Sequence, residues 1–428
     1  MIKRQIASPR ALQDTNLTRR RLLAGAGAGA GVLLLRPPSI WAAPAPSFTP
    51  APAEGVTFAD GPRQMVQYPG KRALIRVTTR PPHLETPFEV FNEGVLTPND
   101  AFFVRYHLAG LPPDVDLATY RIAVTGAVKN PLQLSLADLK GLADPVNVVA
   151  VNQCSGNSRG FSDPRVFGAQ LGNGAMGNAR WTGVPLHKVL ARANPGAKAR
   201  QVVINGLDHP VLPSTPDFRK ALDIEHAMAD GPLLAWSMNG EDIPFLNGYP
   251  VKLIVPGYFG TYWVKHVSEI TVIEDEFSGH DAFFMTTAYR VPDNDCTCVP
   301  PGSTPSATRP ISLLPVRSFI TSLVSGATLH AATPVELKGI AFDGGSGIKA
   351  VDVSTDAGTS WQAAQLGEDL GPYSFREWRL PARFSAKGVT TLKVRATNNR
   401  GETQPATASW NPGGYRRDVI ESYSVHIV

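Results

Sequence analysis

Val148-Val149-Ala150-Val151-Asn152-Gln153-Cys154-Ser155-Gly156-Asn157-Ser158-Arg159, running on into Gly160-Phe161-Ser162-Asp163-Pro164-Arg165, is the stretch on which the reading of this chain turns. A β-branched apolar run predicts a buried strand, and the Gly, Asn and Ser that follow predict a loop. That loop carries a single cysteine close to arginines. Cationic neighbours lower a thiol's pKa and make the sulfur a nucleophile or a metal ligand. Free cysteine is also among the most buried residue types, so a small core residue is the plain alternative. The polar loop and Arg159 weigh against it. A cysteine nucleophile would need a histidine base oriented by an Asn or Asp, and the nine histidines show no local arrangement that supplies one.

The chain has 428 residues, enough for two or three domains that each bury a core. With 43% hydrophobic and 18% charged residues its composition is that of an ordinary globular protein. The formal net charge is only +5, partly from the first residues, and no basic run interleaved with aromatics follows, so a nucleic-acid partner is not expected. Residues 1–43 read as a targeting segment. Thr18-Arg19-Arg20-Arg21-Leu22-Leu23 precedes the Gly/Ala-rich run Ala24–Leu35, and small residues follow at Ala42-Ala43. The paired arginines point to a twin-arginine signal, which implies export of a folded protein to the periplasm. The run is shorter than the roughly 20 apolar residues of a span, so no membrane anchor is expected. Of three cysteines, Cys296 and Cys298 are too close in sequence for an easy disulfide; they could bridge under strain, coordinate something or stay free. No catalytic role is expected for them.

Residues 44–86 are rich in proline and are expected to form an extended arm with little regular structure. From residue 87 to 310, strands at Arg121–Val124, Val202–Ile204 and Val251–Val255 alternate with short helices at Ser135–Leu139 and Pro185–Leu190, which predicts a mixed α+β domain and a connector. Residues 311–428 change to alternation without helices, at Val335–Phe342, Ile348–Ser354 and Thr391–Thr397, separated by turns such as Asp343-Gly344-Gly345-Ser346-Gly347. That pattern predicts an immunoglobulin-like β-sandwich, with Trp361 and Trp378 in its core.

Asn152-Gln153-Cys154-Ser155-Gly156-Asn157, together with Thr97-Pro98-Asn99-Asp100-Ala101-Phe102-Phe103-Val104-Arg105-Tyr106-His107, closely resembles the sulfite oxidase family of molybdenum enzymes, and within it the bacterial periplasmic sulfite dehydrogenases. The resemblance runs from about Thr57 to the C-terminus. It implies a molybdenum–molybdopterin cofactor whose metal is bound by the dithiolene and by Cys154. It also implies that Arg105 and Arg159 bind sulfite, since a guanidinium stays charged and can grip two oxygens. Tyr289 is the match for the family's pocket tyrosine, with Tyr258 and Tyr262 as competitors. Cofactor contacts fall on Phe103, Val104, Arg105, Tyr106, His107, Asp208, Asn247, Lys252, Trp263, Val264 and Lys265. Vertebrate and plant members carry His and Arg where Asn247 and Lys252 stand. Some members contribute an arginine from the sandwich, for which Arg376 is the choice made here.

The reaction implied is oxygen-atom transfer from sulfite to sulfate, with two electrons leaving singly. No Cys-x-x-Cys-His haem motif occurs, so a separate c-type cytochrome is the expected acceptor, transient or as a tight subunit. The family's sandwich often serves dimerisation, so a homodimer or a heterodimer with the cytochrome is expected. The sulfane dehydrogenase of thiosulfate oxidation and a methionine-sulfoxide reductase of similar core are the rival enzymes, though the latter usually lacks the sandwich. A metal-free periplasmic binding module is the non-enzymatic rival.

Overall fold

β-branched and aromatic residues spaced two apart build most of this protein, and helices are few and short. The computed structural model describes residues 63–428; the targeting segment and the first part of the arm lie outside the described residues. All described residues belong to the unit Pro46–Val428. No helix among them is long and apolar enough to cross a membrane.

The strand Val146–Gln153 forms as expected and pairs antiparallel with Met176–Pro185, from Val146 opposite Gly183 to Gln153 opposite Met176. Leu233–Met238 lies on the far side of Met176–Pro185 and also pairs with Lys252–Ile254. A second five-stranded sheet runs Lys220–Asp223, Gln201–Gly206, Val267–Ile273, Ile122–Gly126, Leu132–Leu134, with one parallel pair between Val267–Ile273 and Ile122–Gly126. The helix Leu186–Ala193 buries Leu186, Val189, Leu190 and Ala193, the i, i+3, i+4, i+7 stripe of an amphipathic helix, in the core these sheets share. Ser135 caps Leu136–Lys140 through a reciprocal capping box with Asp138. The α+β expectation holds only loosely, because the longest helix has eight residues and the domain is mostly strand.

The arm departs from expectation. Its described part contributes Met65–Val66, Leu74–Thr78 and His83–Glu85 to a four-stranded sheet completed by Val104–Arg105. Leu74, Leu84, Val104 and Tyr106 are buried together there, and that apolar cluster outweighs the proline content that favoured irregular chain.

In residues 311–428, two sheets face each other. Arg317–Ile320, Pro334–Phe342, Arg376–Arg383 and Gln365–Leu366 form one. Thr328–Leu329, Glu421–Ile427, Gly388–Asn398, Ile348–Ser354 and Gln362–Ala363 form the other. Leu337, Val353, Trp378, Leu392, Val394 and Val425 fill the space between them. Trp378 is core, as expected; Trp361 is not, and lies half-exposed under the Arg395 guanidinium, 4.1 Å from its ring centroid.

The first of these sheets is buried on both faces. Ile320, Leu337 and Ala341 point into the sandwich, whereas Phe319, Ile340 and Phe342 join the core of the preceding domain. Phe319 meets Phe88 with ring centroids 5.5 Å apart, and Phe375 meets Phe91 at 6.0 Å. Arg317, fully buried, bridges the joint by pairing with Glu421 at 2.8 Å and donating to Ser158 Oγ at 3.3 Å, so the sandwich touches the loop that carries Cys154.

In the connector Cys296 and Cys298 form a disulfide with Cα atoms 5.1 Å apart, against the expectation of an uneasy bridge. Thr297 adopts φ +50°, and this turn brings the two Cα atoms within the usual bridging range.

Glu85 is buried beside Arg63, 3.6 Å away, and burial raises its carboxyl to about 7 despite Arg63 and the Gly172 and Gly174 amides. A carboxyl raised in the fold binds more protons folded than unfolded, so its contribution is complete below the ordinary value of 4.5 and lost as pH rises through about 7. The melting temperature should therefore fall by several degrees between about pH 5 and about pH 8, with Glu85→Gln flattening the step; calorimetry across that range checks it.

Candidate active site

Where Val146–Gln153 ends, Cys154 begins a tight turn. Its N–H donates to Ala175 O at 2.9 Å, and its carbonyl accepts Asn157 N–H at 2.9 Å. The Asn157 side chain ties the turn down, accepting Ala175 N–H at 3.0 Å. Cys154 is the one free cysteine, 7% exposed, and it lines a partly enclosed cavity.

The sequence-chosen residues Phe103, Arg105, Tyr106, His107, Asp208, Asn247, Lys252, Trp263, Lys265 and Tyr289 all line the same cavity. Val104 and Val264 do not; both are buried, Val104 opposite Leu84 and Val264 in the main core. Arg159 is not on the lining either. Its Nε donates to Gly413 O at 2.9 Å, and its guanidinium lies 5.0 Å from the Tyr415 ring centroid. Of the competing tyrosines, neither Tyr258 nor Tyr262 reaches the lining; they pack edge-on against each other at 5.2 Å. Arg376 pairs with Asp369 at 2.9 Å and is absent from the lining, which removes it as the sandwich's contribution.

Arg105, His107 and Tyr289 sit together on this lining. Arg105 Nη2 donates to Tyr289 Oη at 3.3 Å, and Tyr289 Oη lies 2.5 Å from His107 Nε2. Burial and the nearby Arg105 hold the His107 imidazole neutral, its pKa well below the usual value, while burial pushes the Tyr289 phenol up. The phenol is therefore the donor and the imidazole the acceptor. His107 is fixed by stacking on Phe218, with ring centroids 3.6 Å apart.

Positive charge is crowded elsewhere on the same lining. Lys252 Nζ lies 4.9 and 5.7 Å from the ring centroids of Trp181 and Trp263, with no side-chain hydrogen bond among the described residues. Burial lowers it to about 7, helped by Lys71. Lys265 is lowered well below its usual value by burial and then by Lys252; it donates to Leu246 O at 2.7 Å and lies 3.7 Å above the Tyr106 ring. Asp208, raised to about 6 by burial, is the carboxylate on the lining. Lys252 and Lys265, whose charged forms burial disfavours, thus share one buried lining with a single acid, and a bound anion would favour their charged forms. Asn247 is held by donating to Phe103 O at 2.9 Å and by accepting from Lys71.

Sequence reading missed Lys71, Phe218, Lys220 and Thr261. Lys220 donates to Phe284 O at 2.7 Å and lies 4.5 and 5.4 Å from the rings of Tyr262 and Tyr289. A signal existed: Phe218, Lys220 and Leu222 alternate as one inward face, so a lysine stood where the pattern called for an apolar residue. Lys71 and Thr261 carried no such signal.

Two family models match the chain: the oxidoreductase molybdopterin-binding domain over residues 109–281 and the molybdenum-cofactor oxidoreductase dimerisation domain over residues 308–426. Mitochondrial sulfite oxidase of Mus musculus is 32% identical over 403 residues, covering 90% of this chain and 70% of the relative. The chain belongs to the sulfite oxidase family of molybdenum enzymes. Sulfite oxidase of Arabidopsis thaliana is 31% identical, covering 83% of this chain and 94% of the relative. Among solved structures, the sulfane dehydrogenase SoxCD of Paracoccus pantotrophus shares the fold with a TM-score of 0.68, at 24% identity and over 85% of this chain and 87% of that one.

The cofactor of the sulfite oxidase family is molybdenum–molybdopterin, and the cavity fits it. Asn152 Oδ1, Ser155 Oγ and Thr261 Oγ1 are buried, line the cavity and have no hydrogen-bond partner among the described residues. Such atoms cost about 1–3 kcal/mol each when left unpaired, so a polar ligand is the natural complement. Gly260 also lines the cavity, and a Cβ there would fall 2.3 Å from Asn152 Oδ1. A soft thiol, crowded cations and orphaned acceptors are the donor set that a metal-bearing, phosphorylated pterin requires. Cys154→Ser should purify folded with its molybdenum largely lost; metal analysis with circular dichroism checks this, and full molybdenum content would remove Cys154 as ligand. Lys252→Met should lower cofactor retention severalfold, read as pterin released per chain on denaturation.

Proposed function

We propose that this protein is a sulfite dehydrogenase, oxidising sulfite to sulfate and passing the electrons singly to a c-type cytochrome. The observation that carries the reading is the Arg105, Tyr289 and His107 array in the cavity that holds Cys154. In its bound state the cofactor, held by Cys154 and by Lys252, Lys265, Asp208 and Asn247, supplies a metal that exchanges an oxygen atom and stores two electrons.

Arg105 supplies a permanent positive charge for a small oxyanion. Its other arm, together with the His83 imidazole at 2.8 Å, donates to the Tyr106 carbonyl, so the guanidinium is oriented before substrate arrives. Tyr289 is held at φ +58°, an uncommon backbone for a tyrosine, which presents its hydroxyl to Arg105 and His107. Burial keeps His107 neutral and the Tyr289 phenol protonated, so the proton stays on Tyr289, donated to His107 Nε2, and the hydroxyl is held at a fixed place beside Arg105.

A periplasmic setting is part of the proposal. It is supported by the sequence of residues 1–43 and by the Cys296–Cys298 disulfide, since such bonds persist in oxidising compartments. A homodimer through residues 308–426 is proposed from the matched dimerisation model, with the cytochrome as a separate partner.

Steady-state assay with cytochrome c as acceptor tests the reading. Turnover of sulfite is expected, and turnover of thiosulfate alone would overturn it in favour of a sulfane dehydrogenase. Arg105→Gln should cut kcat/KM for sulfite by about 10- to 100-fold, mainly through KM, because a charge-assisted contact to the anion is lost. Tyr289→Phe should instead lower kcat more than it raises KM.

A further inference from the structure

Arg159 makes no cavity contact of its own, yet it stands five residues beyond Cys154 and its charge acts on both Tyr289 and Tyr415. What fixes it comes from the other domain. The loop 410–416 of the sandwich reaches across to the cysteine loop and brings Gly413 O to Arg159 Nε at 2.9 Å. Tyr415 offers its ring face to the guanidinium at 5.0 Å and stacks on Tyr289 with centroids 5.5 Å apart and an interplanar angle of 22°. One side chain therefore touches both the loop arginine and the pocket tyrosine.

The fit is close. A Cβ on Gly156 would fall 2.7 Å from Arg159 Cζ, and one on Gly414, itself at φ +56°, would fall 2.8 Å from Arg159 Cγ. The loop is rigid in its own right: Asn411 accepts Tyr415 N–H at 3.1 Å and donates to Tyr415 O at 2.8 Å. Trp410 Nε1 donates to Pro164 O at 2.8 Å, and Arg416 Nη1 donates to Thr297 Oγ1 at 3.0 Å, inside the disulfide turn.

We infer that Tyr415 is a positioning residue for oxyanion binding, supplied by the sandwich, which sets the Arg159 guanidinium and the Tyr289 ring relative to each other through its ring face. This rests on the oxyanion reading of the site given above. The ring holds a cation without neutralising it, so the positive potential of Arg159 is kept for the anion, as a carboxylate partner would not allow.

Tyr415→Met and Tyr415→Phe in the mature, cofactor-loaded enzyme test the inference. The methionine variant loses the aromatic face and should raise the sulfite KM roughly tenfold, a larger change than any fall in kcat. The phenylalanine variant keeps the face and should stay within about threefold of wild type in KM. Calorimetric titration with sulfate, which needs no turnover, should show the same order of affinities. An unchanged KM and sulfate affinity in Tyr415→Met would overturn the inference, as would a Tyr415→Phe variant as impaired as Tyr415→Met. A wild type that binds sulfate but does not oxidise sulfite would overturn the proposed function alone, and the sulfate affinities would still decide the role of Tyr415.

Discussion

Lys252 and Lys265 are held out of water on the lining that also carries Arg105, with Asp208 as its carboxylate, and this surplus of buried basic groups constrains the rest of the molecule. Charges in such a place are costly unless something compensates them. The aromatic faces of Trp181, Trp263 and Tyr106 offset part of the cost. A bound anion would offset the remainder. The fold gathers these groups in one cavity by bringing strand ends from separate sheets to its walls.

The two sets of groups differ in how they use their protons. Around the lysines burial depresses the ammonium groups and raises Asp208, so the charges there respond to what binds. At Tyr289 burial makes the phenol harder to ionise and His107 harder to protonate, which keeps the proton on Tyr289 in its hydrogen bond to His107. The Arg105 guanidinium sits beside that pair. A cation beside a neutral hydrogen-bonded pair suits the binding of an anion.

The sandwich is integral to this arrangement. Its sheet Arg317–Ile320 with Pro334–Phe342 is apolar on both faces, so one domain's floor is the other's wall. Through Arg317 it touches Ser158, and through Gly413 and Tyr415 it holds Arg159. Both contacts fall on the loop that follows Cys154, so the position of that loop is set from two domains at once.

Local pattern was enough to place the strand before Cys154, the helix after Ser135 and the two-sheet character of the C-terminal region, because each depends on periodicity, whereas most of the cavity lining followed from the family resemblance carried by the segments around Phe103–His107 and Cys154. Four things were not legible. The arm's strands depend on Val104 and Tyr106 as partners about 20–40 residues away, which composition does not encode. Trp361 and Trp378 sit in similar alternating runs, and only the register of Arg376–Arg383 against Pro334–Phe342 buries the second. Lys71 and Thr261 come to the site from segments far apart in sequence, with no local pattern to mark them. Arg159 and Tyr415 are 256 positions apart by their numbering, and nothing in either neighbourhood announces the other. Chemistry carried by adjacent residues is written in the sequence; chemistry made by side chains converging across a domain joint exists only once both cores have packed, since that packing alone fixes which residues meet.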